Sequence, residues 1–173
     1  NSAASEGGGL WNQAGSTLTV NDSLIFRNEA RGNDATNGGG GIFNNGGIVN
    51  VTGANTTISN NFASGTAGSG GGIFNDAGGT VSVTDAKIRG NVANRAGGGI
   101  EAVAGTTTNL TNVLLSMNNT GVAPDALAAP GNGGGLHITG AGNATITGGE
   151  VSDNVAALEG GGLWNGSGTI TIS

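Results

Sequence analysis

Apolar and small polar residues alternate around short stations along the whole chain, as in Val81-Ser82-Val83-Thr84. Alternation with period two puts successive side chains on opposite faces of a strand. Three stations recur. The first is Leu10, Ile42, Ile73, Ile100, Leu136 and Leu163; the second is Val20, Val51, Val83, Leu110, Ile146 and Ile172; the third is Ile25, Ile58, Ile88, Leu115 and Val151. Gly, Asn and Asp cluster between them and supply turns. No stretch shows helical apolar spacing, so helix-containing arrays such as leucine-rich or ankyrin repeats are not expected.

A glycine triplet followed by Ile or Leu returns six times and marks the period. Its third glycine falls at Gly9, Gly41, Gly72, Gly99, Gly135 and Gly162, at intervals of 32, 31, 27, 36 and 27. An Asn follows 19 or 20 residues later, at Asn28, Asn61, Asn91, Asn118 and Asn154. From that Asn to the next third glycine the distance is 13, 11, 8, 17 and 8, so length varies at one corner only. The expectation is an all-β fold, a right-handed parallel β-helix with three strands per coil and five to six coils of roughly 27 residues or more. Each strand would pair with its equivalent in the next coil, about 4.8 Å away. The whole of residues 1–173 reads as one such segment.

The repeated polar residues read as structural. Stacked amides at Asn28, Asn61, Asn91, Asn118 and Asn154 can bond to one another and to turn backbone, forming an internal ladder. A small residue two positions on (Ala30, Ala63, Ala93, Ala156, with Thr120 the exception) suits a tight inward corner. Asn12, Asn44, Asn75 and Asn165 suggest a second ladder, interrupted by Ala102 and Ile138. The glycines are expected to supply positive φ or close backbone packing between coils.

GGGIFN, then TVSVTDAKI, then N-x-A before the next GGG resembles the right-handed parallel β-helix repeats of bacterial surface and adhesin-like proteins. It is similar to the repeats of the polymorphic outer-membrane proteins, with GGG followed by Ile or Leu in place of GGAI. The resemblance covers the whole chain. It implies an extracellular or cell-surface location and carries over no catalytic residue.

Composition narrows the function. With 38 Gly among 173 residues and 3% aromatics, a conventional core is hard to build, but stacked coils need few large side chains. Net charge is -6 with five basic residues, too few to neutralise a run of phosphates, so nucleic acid is not expected as a partner. Cys is absent. No apolar run reaches the length of a transmembrane helix. No cofactor or metal motif is present, and the calcium-binding nonapeptide is missing.

Candidate surfaces follow from strand alternation. If Ile73 points inward, the outward column is Trp11, Phe43, Phe74, Glu101, His137 and Trp164. An exposed aromatic stripe there would suit sugar rings, a partner protein or a neighbouring filament. The alternative is that corner loops fold back and cover it. The second strand presents Thr19, Thr52, Thr84, Thr111, Thr145 and Thr147 among Asn and Ser, a polar rank that also admits ice binding. The acidic residues look scattered through different registers, with Asp85 near Lys87 and Arg89, and Glu150 near Asp153. Catalytic carboxylates on such a scaffold need to converge on one face. His137, the only His, reads as an isolated outward residue. The long corner after Asn118, with Pro124, Asp125 and Pro130, is a candidate recognition loop.

Residues 1–12 (NSAASEGGGLWN) and 154–165 (NVAALEGGGLWN) match at ten of twelve positions. Open solenoid ends expose strand edges and invite pairing. The expectation is therefore a segment of a longer solenoid, or a unit that self-associates through its ends. The expected function is a non-enzymatic structural or adhesive solenoid with a protein or glycan partner. The alternative is a carbohydrate-active β-helix that binds or cleaves a polysaccharide.

Overall fold

The computed structural model describes residues 1–121 and 130–173. Among them there is no helix, and parallel strands stack into a β-solenoid of about five turns. Among the described residues no helix is long and apolar enough to cross a membrane. Pro124 and Asp125 of the long corner lie outside the described residues.

The three stations each build a sheet. The glycine sheet follows the triplets and contains Leu10–Gln13, Ile42–Asn45, Ile73–Asp76, Ile100–Ala102, Leu136–Ile138 and Leu163–Asn165. The threonine sheet contains Thr17–Asn21, Ile48–Thr52, Thr80–Thr84, Thr107–Thr111, Asn143–Thr147 and Thr169–Ile172. The third sheet contains Leu24–Phe26, Thr57–Ser59, Lys87–Arg89, Leu114–Ser116 and Glu150–Ser152. Equivalent residues pair coil to coil without slippage, as in Ile42↔Ile73↔Ile100 and Val51↔Val83↔Leu110. A one-residue slip would turn the aliphatic residues outward, so the alternation itself specifies this register.

The coil has a fourth strand that the alternation does not reveal. Two-residue strands at Ser2–Ala3, Glu29–Ala30, Phe62–Ala63, Val92–Ala93, Asn119–Thr120 and Val155–Ala156 form a corner sheet beside the Asn marker. Two residues are too few to display a period. The residue before each marker has positive φ: Arg27 (51°), Asn60 (52°), Gly90 (62°), Met117 (56°) and Asp153 (54°). That left-handed step makes the bend from the third sheet into the corner strand.

Inside, Ile42, Ile58, Ile73, Ile88, Ile100, Leu110, Leu115, Leu136 and Ile138 are fully buried and form one continuous core with the valines of the threonine sheet. In the outermost strands the same positions are more open: Ile172, in register with Ile146, is 64% exposed, and Leu10, Ile25 and Leu163 are half-buried.

The marker Asn residues form the expected ladder. The amide of Asn61 shows its completeness: Oδ1 accepts from the backbone N–H and the Nδ2 of Asn28 (3.0 and 2.9 Å), and Nδ2 donates to Asn91 Oδ1 and to the Ile25 carbonyl (both 3.0 Å). Asn91 and Asn118 repeat the pattern up to Asn154, and Asn1 adds a further rung by donating to Asn28 Oδ1 at 2.8 Å. The second ladder is shorter than expected. Asn12 donates to Asn44 and Asn44 to Asn75, both at 2.9 Å, and Asn75 then turns to the Thr107 carbonyl and the Thr108 hydroxyl. Asn165 stays outside it and donates to the Gly168 carbonyl instead.

Each glycine of a triplet has its own reason. The first, such as Gly70 or Gly97, has φ near +60°. The second packs on corner-strand backbone of the next coil, Gly71 on Val92 and Gly98 on Asn119. At the third, a Cβ would lie 2.6 Å from a carbonyl of the next coil at both Gly41 and Gly72, and against the ladder amide as well. The ladder and the triplet therefore require each other.

Candidate functional site

The outward column of the glycine sheet is not an exposed aromatic stripe. Phe43 and Phe74 are buried and stacked, with ring centroids 5.1 Å apart and planes at 16°. Trp11 remains 46% exposed at one end, and Trp164 is half-buried at the other. The cover is the variable corner. Its segments run from coil to coil through the bridges Gly38↔Ser69↔Ala96↔Asn132, and they bring Ala35, Thr36 and Arg95 over this sheet. Glu6 and Glu159 accept from the indole N–H of Trp11 and Trp164, at 3.3 and 3.1 Å.

Further along this covered column, polar chemistry replaces the aromatics. Glu101 and His137 are fully buried in paired register on neighbouring strands. His137 Nδ1 lies 2.9 Å from Glu101 Oε2, and the Thr139 hydroxyl donates to Glu101 Oε1 at 2.6 Å. Arg95 brings a guanidinium nitrogen to 3.9 Å of the same carboxylate while donating to the Ser69 hydroxyl at 3.1 Å. The other face of the imidazole stacks on Trp164, with centroids 4.4 Å apart and planes 3° from parallel. His137 Nε2 is buried without a hydrogen-bond partner among the described residues.

This cluster corrects the reading of His137 as isolated and of the carboxylates as scattered. Glu101 and Asp76 line one open groove of about 410 Å³, together with Arg95, Thr139, Val103 and Ala104. The signal was present in the sequence, because Glu101 and His137 occupy the same outward column one coil apart. It was hidden because the loop that supplies Arg95 has no repeat spacing of its own. Among the described residues the only other ion pair is Arg31–Glu29 at 2.8 Å; Asp85 pairs with neither Lys87 nor Arg89. Hydrogen bonds from Arg31 and then Ser64 hold the Glu29 carboxyl below its ordinary range, against a smaller opposing effect of burial. No group of three or more metal-ligating side chains occurs among the described residues.

The threonine sheet is the other candidate surface. Its outward positions form three columns in register: Thr17, Ile48, Thr80, Thr107, Asn143, Thr169; then Thr19, Asn50, Ser82, Asn109, Thr145, Thr171; then Asn21, Thr52, Thr84, Thr111, Thr147, Ser173. Thr19, Thr145 and Thr147 are exposed, and Thr52, Thr84 and Thr111 half-buried. It is the one sheet whose strands carry no charged residue; the others contain Asp76 and Glu101, Lys87, Arg89 and Glu150, or Glu29. A few hydrogen bonds link neighbouring side chains, such as Thr52 to Asn21 Oδ1 at 3.0 Å.

Comparison of the chain with protein-family models, with curated proteins and with solved structures finds no match.

Proposed function

We propose that the chain is a non-enzymatic structural and adhesive solenoid acting outside the cell or on its surface. The observation that carries this reading is the threonine sheet: a rigid, six-stranded, uncharged face on a chain of net charge -6. Hydroxyl and amide groups repeat along it at about 4.8 Å. Such a face suits a partner that is itself flat, neutral and polar, where many weak contacts act together. The absence of charge on the face makes the contact insensitive to salt, unlike electrostatic adhesion. The resemblance of the repeat to bacterial adhesin-like proteins supports the exterior location.

Self-association belongs to the same reading. In this chain the outer edges of the sheets are unpaired, and a core position beside one of them, Ile172, is open. A second copy would continue the sheets and the Asn ladder, placing its Asn1 above Asn154.

Adsorption of the chain to hydroxyl-, carboxyl- and amine-terminated surfaces tests the adhesive face. Retention on the hydroxylated surface is expected at low and high salt alike, and Thr111→Lys with Thr145→Lys should abolish it. Equal retention of that variant would sink the reading, as would release of reducing ends from a polysaccharide by the wild-type chain.

A further inference from the structure

The covered column of the glycine sheet departs from its own solution. Phe43 and Phe74 fill it with neutral stacked rings, and nothing in the coil geometry asks the next two positions to differ. Yet Glu101 and His137 stand there, both buried. Burying a carboxylate costs free energy that an aromatic ring would not, and such departures from a local rule gather at functional sites. The departure coincides with the open groove that Glu101 helps to line.

The groove has a definite chemistry. Glu101 lies fully buried under the groove: its Oε1 accepts from the Thr139 hydroxyl, which is 3.2 Å from His137 Nδ1, and that nitrogen stands 2.9 Å from Oε2. Asp76 lies on the adjacent strand, one step diagonally from Glu101, a distance of roughly 7–8 Å in such a pair. Asp76 Oδ1 accepts the Ala77 N–H at 2.6 Å. Arg95 supplies a donor in the groove, 3.9 Å from Glu101, and Val103 and Ala104 give an apolar patch. Two carboxylates and one guanidinium leave the groove with a net negative charge while the imidazole is neutral, which disfavours acidic ligands. Acceptors and a donor around an apolar patch match vicinal hydroxyls flanking the C–H face of a sugar ring.

We propose that this groove is a binding site for a neutral saccharide unit. Asp76 accepts from its hydroxyls, Arg95 donates to them, and the ring packs on Val103 and Ala104, while the buried Glu101 holds the Arg95 guanidinium from below. His137 and Thr139 are positioning residues that act through Glu101. The site lies on a different sheet from the threonine face and stands or falls independently of it.

Amide-resolved NMR titration of the chain with glucose, galactose, mannose and N-acetylglucosamine, and with galacturonate as an acidic control, tests the proposal. At least one neutral sugar is expected to give saturable shifts at Thr36, Val103, Ala104 and Gly140. Asp76→Asn and Arg95→Gln, both at the groove rim, should each weaken that sugar about tenfold, the loss of one hydrogen bond to a charged group. His137→Phe, which leaves the Glu101 carboxylate uncompensated, should weaken binding, and His137→Asn, whose amide can donate to Glu101, should restore it. Four results would overturn the proposal: no neutral sugar shifts these amides, shifts fall on the threonine face instead, galacturonate binds more tightly, or the rim variants bind as well as the parent. Equal binding by His137→Phe would overturn the positioning role.

Discussion

His137 stands directly opposite Glu101 on the neighbouring strand, and its Nδ1 approaches the Glu101 carboxylate to 2.9 Å inside a column otherwise filled by aromatic rings. Removing one member of a buried pair leaves the other uncompensated, whereas replacing both by apolar groups does not. Glu101→Ala is therefore expected to lose roughly 3–5 kcal/mol in denaturant unfolding. The double replacement Glu101→Phe with His137→Phe, which extends the Phe43–Phe74 stack, should be near neutral or stabilising. A single substitution as mild as the double one would remove the case that these charges are held against the fold's preference.

The ladder makes a graded prediction. Asn61 carries four side-chain hydrogen bonds, and each rung depends on its neighbours. Asn61→Ala takes the acceptor from the Asn28 backbone N–H and Nδ2 and the side-chain donor from the Ile25 carbonyl. At 1–3 kcal/mol for each unsatisfied buried group, the loss should be roughly 3 kcal/mol or more. Asn154 makes three of the same four bonds and is only half-buried, so Asn154→Ala should cost less. Equilibrium denaturation of the two variants checks the order, and equal losses would mean that the rungs are not cooperative.

Glycine positions separate steric need from conformational need. At Gly72 a Cβ would meet the Gly99 carbonyl at 2.6 Å and the Asn91 amide at 3.0 Å, both fixed in the next coil. Gly72→Ala should abolish folding or force the coils apart, read as lost cooperativity in thermal unfolding. Gly15 has φ of +79° and nothing within 4 Å of its Cβ position. Gly15→Ala should cost only the left-handed backbone preference, about 1–2 kcal/mol.

Glu29 gives a pH dependence with a definite sign. Its carboxyl is held below the ordinary value of 4.5, first by the hydrogen bond from Arg31 and then by that from Ser64. A depressed folded-state value means stability that is present above the unfolded value and lost as pH falls through the folded one. Stability should decline below about pH 4.5, and Glu29→Gln should flatten that part of the acid limb. The effect will be small, because the pair is open to solvent. A steeper acid limb in the variant would contradict the assignment.

Much of this structure was readable in advance, and the unread part has a common cause. Ile42, Ile73 and Ile100 declare the glycine sheet because their alternation recurs with the triplet, and the ladder follows from five Asn at constant spacing. The corner sheet escaped because two residues carry no period. The left-handed bend escaped because Arg, Asn, Gly, Met and Asp share it with no common chemistry. The covering of Phe74 was one of two readings that alternation left open, since a strand's pattern names its outward face but not what lies on it.

The chain's own order of residues determined the coil: strand, turn and ladder positions repeat, and each coil can satisfy them only by stacking on its neighbours. The tertiary structure alone decided what the variable corner does. Its segments have no internal repeat, and folding back places Arg95 on Glu101 and closes over Phe43 and Phe74, so that the column is buried, with a charged groove beside it. Local periodicity is a property of neighbours along the chain, whereas the position of an aperiodic loop depends on surfaces that exist only after the coils have stacked.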